Sequence, residues 1–177
     1  MTTRLLFKVL NDDGSAQLGR GKWPLPRNGR PGKPLTVAGE LIPCHNGLHL
    51  CRPEDLVRWL GPAIWTVQVP DGVEEIWCED KIVVRTARLG RRLETWNART
   101  ARLFACDCAE RVIKYANDAR LVETIRVARL YANGCATAEE LATARAAAWD
   151  AAEAAAGAAR AAAWAARAAA WAAARDA

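Results

Sequence analysis

Short apolar runs separated by turn residues fill the chain up to about residue 90, and such runs predict β-strands. The runs at 5–10 (LLFKVL), 64–69 (IWTVQV) and 81–89 (KIVVRTARL) each predict a strand, with 73–77 as the hairpin partner of the second. Pro53 followed by two acids predicts one short helix between the runs 5–10 and 64–69. We therefore expect a small mixed β-sheet domain over residues 1–90.

Beyond residue 90 the apolar spacing becomes helical. A first helix over about 97–116 is predicted by the spacing of Ala101, Phe104, Ala105, Cys108, Val112 and Tyr115. A second, ended by Asn133-Gly134, is lined by Leu121, Ile125, Ala128 and Ala132. Thr137 followed by Glu140 has the form of a capping box and predicts the start of a long alanine-rich helix. The fold prediction is α+β, with domains at 1–90, 91–136 (a helical hairpin) and 137–177.

One side of the last helix carries most of its residues other than alanine, at about 100° per residue. The proposed interaction residues on this side are Arg145, Trp149, Arg160, Trp164, Arg167, Trp171 and Arg175. Three of these arginines precede a tryptophan by four residues, a spacing that allows cation–π stacking. We expect self-association through the alanine faces or docking of a protein partner on the Trp/Arg stripe. A low-complexity repeat that is merely helical is the remaining alternative.

The net charge of +5 over 177 residues permits an anionic partner but is modest for a dedicated nucleic-acid binder. A basic run that could contact phosphates consists of Arg85, Arg88, Arg91, Arg92, Arg99 and Arg102. Neighbouring acids dilute this run, and a solvated charged surface is the more common outcome. Nucleic-acid binding is therefore a further alternative and is not favoured.

Both histidines and two of the six cysteines fall in the stretch 43–51 (PCHNGLHLC). Alternation in Leu48-His49-Leu50 predicts a strand with His49 on the face opposite to the leucines. Cys44, His49 and Cys51, with Cys78 as the fourth ligand, have the ligand types of a zinc site. Their spacing is not that of a standard zinc finger. A packed turn with buried thiols and a hydrogen-bonded histidine is the alternative, without any cofactor.

The first ten residues contain no secretion signal, so we expect a cytoplasmic protein with its cysteines as thiols. The alanine-rich helix is long enough to cross a bilayer. However, arginine recurs along it about every seven residues, which makes crossing costly. We therefore expect no membrane span.

Several segments resemble a family of small bacteriophage and actinobacterial proteins of unknown function. They are 47–51 (GLHLC), 80–85 (DKIVVR) and 92–112 (RLETWNARTARLFACDCAERV), followed by the alanine-rich tail. The resemblance implies phage or prophage origin and brings no function with it. Together with the helical half of the chain, it leads us to expect a non-enzymatic phage or prophage-type interaction protein, host-modulating or virion-associated, located in the cytoplasm of the host cell. The sheet region is also loosely similar to ADP-ribosyltransferase-like folds, which implies a nucleotide pocket at His49. Glu74 and Glu75 are acids without a catalytic motif around them.

Overall fold

The computed structural model describes residues 4–19, 21–113 and 118–175 and, within these, all side chains except those of 155 and 168–175. The chain divides into two compact units, Met1–Asn97 and Ala98–Ala177. The first contains β-strands and a 3-10 helix, and the second contains three long helices in its described part. The predicted α+β class is therefore confirmed.

Short strands form two antiparallel sheets in the described part of the first unit, where we expected one small mixed sheet. The strands are β1 (Leu6–Leu10), β2 (Leu35–Thr36), β3 (Leu48–Leu50), β4 (Ala63–Gln68), β5 (Glu75–Trp77), β6 (Ile82–Val84) and β7 (Thr86–Arg92). One sheet has the order β1-β4-β7-β2 and the other β3-β6-β5. A 3-10 helix, Pro53–Arg58, follows β3 with proline in its first turn, as predicted.

Two strand predictions differ from the structure. The segment expected to pair with β4 contains β5, which instead pairs antiparallel with β6, so that Ile76 lies opposite Val83. The run 81–89 is not one strand, because it bends at Arg85 and passes from one sheet into the other. The Arg85 guanidinium donates to the carbonyl oxygens of Val37 at 3.0 Å and Gly39 at 2.7 Å. These bonds hold the chain at the bend.

Strand β1 has apolar side chains on both faces, and those of each face pack into a separate cluster. Leu6 and Leu10 belong to the larger cluster, which draws on strands of both sheets and on Trp23 from the proline-rich loop. Phe7 and Val9 belong to a smaller cluster with side chains of the 3-10 helix region. Trp23 is only 4% exposed, so it anchors its loop in the core.

The second unit contains α1 (Ala98–Ile113), α2 (Ala119–Ala132) and α3 (Ala138–Arg175). The predicted end of the first helix, with Tyr115, lies outside the described residues. Helix α2 begins at the N-cap Asp118. It ends as predicted at Gly134, whose φ is +74°, and the Cys135 amide donates to the Leu130 carbonyl at 2.8 Å, as in a Schellman motif. None of the described helices is both long and apolar enough to cross a membrane.

Helix α1 turns a different face inward from the one its apolar spacing predicts. Cys108, which belongs to the predicted apolar face, is exposed, and Cys106 is buried instead. The Arg129 side chain on α2 donates to Asp107 at 2.5 Å and to Glu110 at 2.8 Å. These ion pairs join α1 to α2 in the observed rotation, and periodicity along one helix cannot reveal them.

Candidate functional site

Helix α3 starts at the capping box that the sequence predicts. The Glu140 amide donates to Thr137 Oγ1 at 3.1 Å, and the Thr137 amide donates to Glu140 Oε2 at 2.6 Å. These two bonds satisfy backbone donors that the first helical turn leaves free. The start of α3 is therefore fixed by its own sequence.

The first four turns of α3 pack against α2 through a face of leucine and alanine. Leu141 and Ala151 are buried, and Ala144 and Ala148 between them are half-buried. The Thr124 hydroxyl on α2 donates to the Ala144 carbonyl at 2.8 Å. Spacings of three and four residues place these positions on one side of the helix. The alanine face is thus the covered one over this part of α3.

The Trp/Arg side of α3 is exposed wherever its side chains are described. Trp149 is 68% exposed and Trp164 is 71% exposed. The Arg167 guanidinium lies 5.9 Å from the centroid of the Trp164 ring, a cation–π contact with the arginine three residues after the tryptophan. Arg145 and Arg160 are also exposed. The backbones of Trp171 and Arg175 belong to α3, but their side chains lie outside the described residues.

A second candidate site is a cavity of about 250 Å³ in the first unit, next to β1 and β3. His49 lines it, at the position where the sequence places a pocket residue. The polar and aromatic side chains that line it are Lys8, Gln17, Cys44, His49, Cys51, Trp59 and Lys81, and the remainder of the lining is apolar.

The imidazole ring of His49 is hydrogen-bonded to the backbone of the preceding turn. Its Nε2 accepts a hydrogen bond from the Cys44 amide at 2.8 Å. Burial lowers the pKa of His49, and the nearby Lys8 and Lys81 lower it further, while a hydrogen bond with the Gly47 backbone opposes the shift. The ring is therefore neutral at pH 7, and its Nε2 lone pair is already in use.

The zinc site predicted at Cys44, His49, Cys51 and Cys78 is not supported. Within 4–19, 21–113 and 118–175, no three His, Cys, Asp or Glu side chains come together as a group that could hold a metal ion. The Nε2 of His49 is already bound to the Cys44 amide. Burial raises the pKa of the Cys51 thiol to about 11, whereas zinc requires the thiolate. The turn matches the alternative in its hydrogen-bonded histidine and in the buried Cys51, whereas the Cys44 thiol is exposed.

The two lysines of the cavity were missed in the sequence, although Lys8 carries a recognisable signal. It is a single charged residue inside the apolar strand β1, on the same face as Leu6 and Leu10 by the period of two. Its Nζ donates to the His49 carbonyl oxygen at 3.0 Å and lies 5.6 Å from the Trp23 ring centroid. Lys81 is bound to Asp80 at 3.0 Å and lies 5.4 Å from the Trp59 ring centroid.

Glu74 and Glu75, the acids considered for the enzyme alternative, form ion pairs with arginines. Glu74 forms an ion pair with Arg85. Glu75 forms one with Arg4 at 2.6 Å, and the hydrogen bond from Arg4 lowers the pKa of Glu75. Both carboxylates thus have structural partners on the surface of the first unit.

The six arginines of the basic run are divided between the two units. Arg85, Arg88, Arg91 and Arg92 lie on or beside β7, whereas Arg99 and Arg102 lie on α1. Arg88 donates to Gln68 at 2.7 Å, Arg92 to Asp12 at 2.7 Å and Arg99 to Asn133 at 2.7 Å, while Arg102 stacks on the Tyr131 ring. Nucleic-acid binding stays a prediction, with most of its charges already engaged within the chain.

Comparison with protein-family models, curated proteins and solved structures finds no match. The resemblance to bacteriophage and actinobacterial proteins therefore stays a prediction, as does the cytoplasmic location. The function has to be argued from the chain's own geometry.

Proposed function

We propose that this chain is a non-enzymatic interaction protein that pairs with a second copy of itself through the exposed side of α3. The observation that carries the proposal is the exposure of Trp149 and Trp164, at 68% and 71%. Tryptophan and arginine are the residues that most often dominate binding energy at protein interfaces. Two exposed tryptophans on one helix leave a large apolar area without cover.

The order of residues along this side of α3 is complementary to itself. Trp149, Glu153, Arg160 and Trp164 fall within about 60° of one another around the helix, at about 100° per residue. An antiparallel copy aligned so that Trp149 meets Trp164 also brings Glu153 opposite Arg160, because both pairs have the same midpoint. That alignment gives two Trp/Trp contacts and two ion pairs at once.

The midpoint of the alignment falls between Ala156 and Gly157, where two helices can approach closely. A Cβ at Gly157 would have nothing within 4 Å, so this part of the helix surface is open. Small residues at a helix crossing let backbones come near one another. The smallest residue of α3 thus lies at the centre of the proposed contact.

A second copy explains this pattern better than an unrelated partner does. A two-fold interface requires that residue i contact residue j and that j contact i. The sequence W-E-R-W, with opposite charges at equal distances from one midpoint, meets that requirement. A surface for a different protein has no need of such symmetry.

The expected affinity is moderate. Four tryptophans, two from each copy, have roughly 150 to 250 Å² each available for burial. With the intervening methyl groups, the total approaches the low end of the roughly 1,200 to 2,000 Å² of a specific interface. The exposed ion pairs add only about 0.2 to 1 kcal/mol each. Their main effect is to set the direction and register of the pair.

Sedimentation velocity of the full chain, from about 1 to about 200 µM, tests the proposal in a range suited to such an interface. The mass should rise from that of one chain to that of two. The double variant Trp149→Ala/Trp164→Ala should stay monomeric throughout. Ala162→Arg is the control, because Ala162 is exposed on the opposite side of α3 and should leave dimerisation unchanged. A wild-type chain that stays monomeric over the whole range contradicts the proposal.

A further inference from the structure

Lys8 places a positive charge in a mostly apolar environment. Its side chain shares a face of β1 with the buried Leu6 and Leu10, and burial lowers its pKa. Among the described residues it forms no ion pair. The nearby acids are held by other cations, Asp80 by Lys81 at 3.0 Å and Asp55 by Arg52 at 2.6 Å. The ammonium group therefore lacks a counter-ion within the described part of the chain.

An ammonium group without a counter-ion is costly to bury, so such charges are normally paired. The group has three N–H donors. The structure gives it one carbonyl, that of His49 at 3.0 Å, and the face of the Trp23 ring. A ligand with a negative oxygen would complete the hydrogen bonding and neutralise the charge.

The cavity of about 250 Å³ lies directly beside this group, since Lys8 is one of its lining residues. Val9, Ala16, Leu18 and Leu50 contribute apolar lining. The volume is below the roughly 300 to 1,000 Å³ of usual ligand pockets. A molecule smaller than a nucleotide fits these dimensions.

We infer that this cavity binds a small organic monocarboxylate, with its carboxylate against the Lys8 ammonium and its apolar body against the aliphatic and Trp59 side chains. The charge balance favours a monoanion. Lys81 is already neutralised by Asp80 at 3.0 Å, and His49 is neutral at pH 7, so Lys8 supplies the one uncompensated charge. The inference does not depend on α3 or on self-association.

The test compares benzoate with benzamide, its neutral analogue of nearly the same shape, by isothermal titration calorimetry of the full chain in low-chloride buffer. Benzoate should bind saturably, and at least about tenfold more tightly than benzamide, as expected for a hydrogen-bonded charge. Benzoate should also raise the unfolding temperature by mass action. Equal binding of the two compounds, or no saturable binding of benzoate, overturns the inference without any variant.

Two variants locate the effect at Lys8. Lys8→Met keeps the length of the side chain and removes a partly buried charge, so the chain should fold. Its affinity for benzoate should fall about tenfold or more, while its affinity for benzamide should change little. Lys33→Met is the matched control, because Lys33 is exposed and does not line the cavity. Unchanged benzoate binding in Lys8→Met would contradict the assignment.

Discussion

Replacing Gly47 by alanine should destabilise the first unit strongly, because two independent costs coincide at this position. Gly47 lies just before β3 with a φ of +145°, and a Cβ there would lie 2.2 Å from Val83 Cγ1. Val83 is fully buried in β6, so it cannot move aside freely. The disfavoured backbone conformation costs about 1 to 3 kcal/mol, and overpacking adds about 1 to 3 kcal/mol. We expect a loss of about 2 to 6 kcal/mol.

Gly72→Ala separates these two costs. Gly72 also has a positive φ, +73°, but a Cβ there would have nothing within 4 Å. This variant should therefore lose only the backbone cost of about 1 to 2 kcal/mol. Combining Gly47→Ala with Val83→Ala isolates the clash, because the shortened side chain removes Cγ1. The double variant should cost less than the sum of the single variants, by about 1 to 3 kcal/mol.

Native-state hydrogen exchange of the β3 and β6 amides suits this measurement, because it reports on the first unit by itself. Urea unfolding of the same variants gives an independent value. Additive effects of Gly47→Ala and Val83→Ala would refute the clash. A Gly47→Ala variant no less stable than Gly72→Ala would refute it as well.

Three further predictions concern other parts of the chain. Thr137→Ala should lower the free energy of unfolding by about 1 kcal/mol, because it removes the cap of α3. Thr143→Ala, at an exposed position of the same helix, should lower it less, and thermal unfolding of both variants checks this. Burial raises the pKa of the Cys51 thiol to about 11. At pH 8, Cys51 should therefore react with iodoacetamide more than about a hundredfold more slowly than the exposed Cys108. In urea the two thiols should react at the same rate. Hydrogen bonds from the side chain and backbone amide of Ser15 lower the pKa of Asp13 to about 2. Its stabilising effect relative to Asp13→Asn should therefore be full above about pH 5 and vanish as the pH falls through about 2, measured by urea unfolding across that range.

Features determined by neighbours in sequence were predictable. Thr137 and Glu140 form the expected capping box, and Gly134 has the expected left-handed conformation. The alternation around His49 placed its side chain on the opposite face from its two leucines. Each of these features depends on backbone preferences over three or four residues, which a single sequence contains.

Features determined by distant partners were not predictable. The bend at Arg85 depends on carbonyl groups of Val37 and Gly39, almost fifty residues earlier in the chain. The inward face of α1 packs on α2, whose Arg129 forms ion pairs with acids of α1. The cavity depends on the meeting of β1 with β3, so the sequence indicated His49 as its residue but not the neighbouring Lys8.

Charge reversal on α3 tests the proposed antiparallel pairing most directly. Glu153→Arg alone and Arg160→Glu alone each replace two attractive contacts in the dimer by two repulsive ones. Each should weaken dimerisation about tenfold or more. The combined variant restores both pairs with their signs exchanged.

The decisive measurement is the dimer dissociation constant of these three variants and the wild type by sedimentation equilibrium. We predict that the combined variant Glu153→Arg/Arg160→Glu dimerises within about threefold of the wild type, although each single variant is impaired. Dimerisation of the combined variant that is as weak as that of the single variants would contradict the antiparallel register.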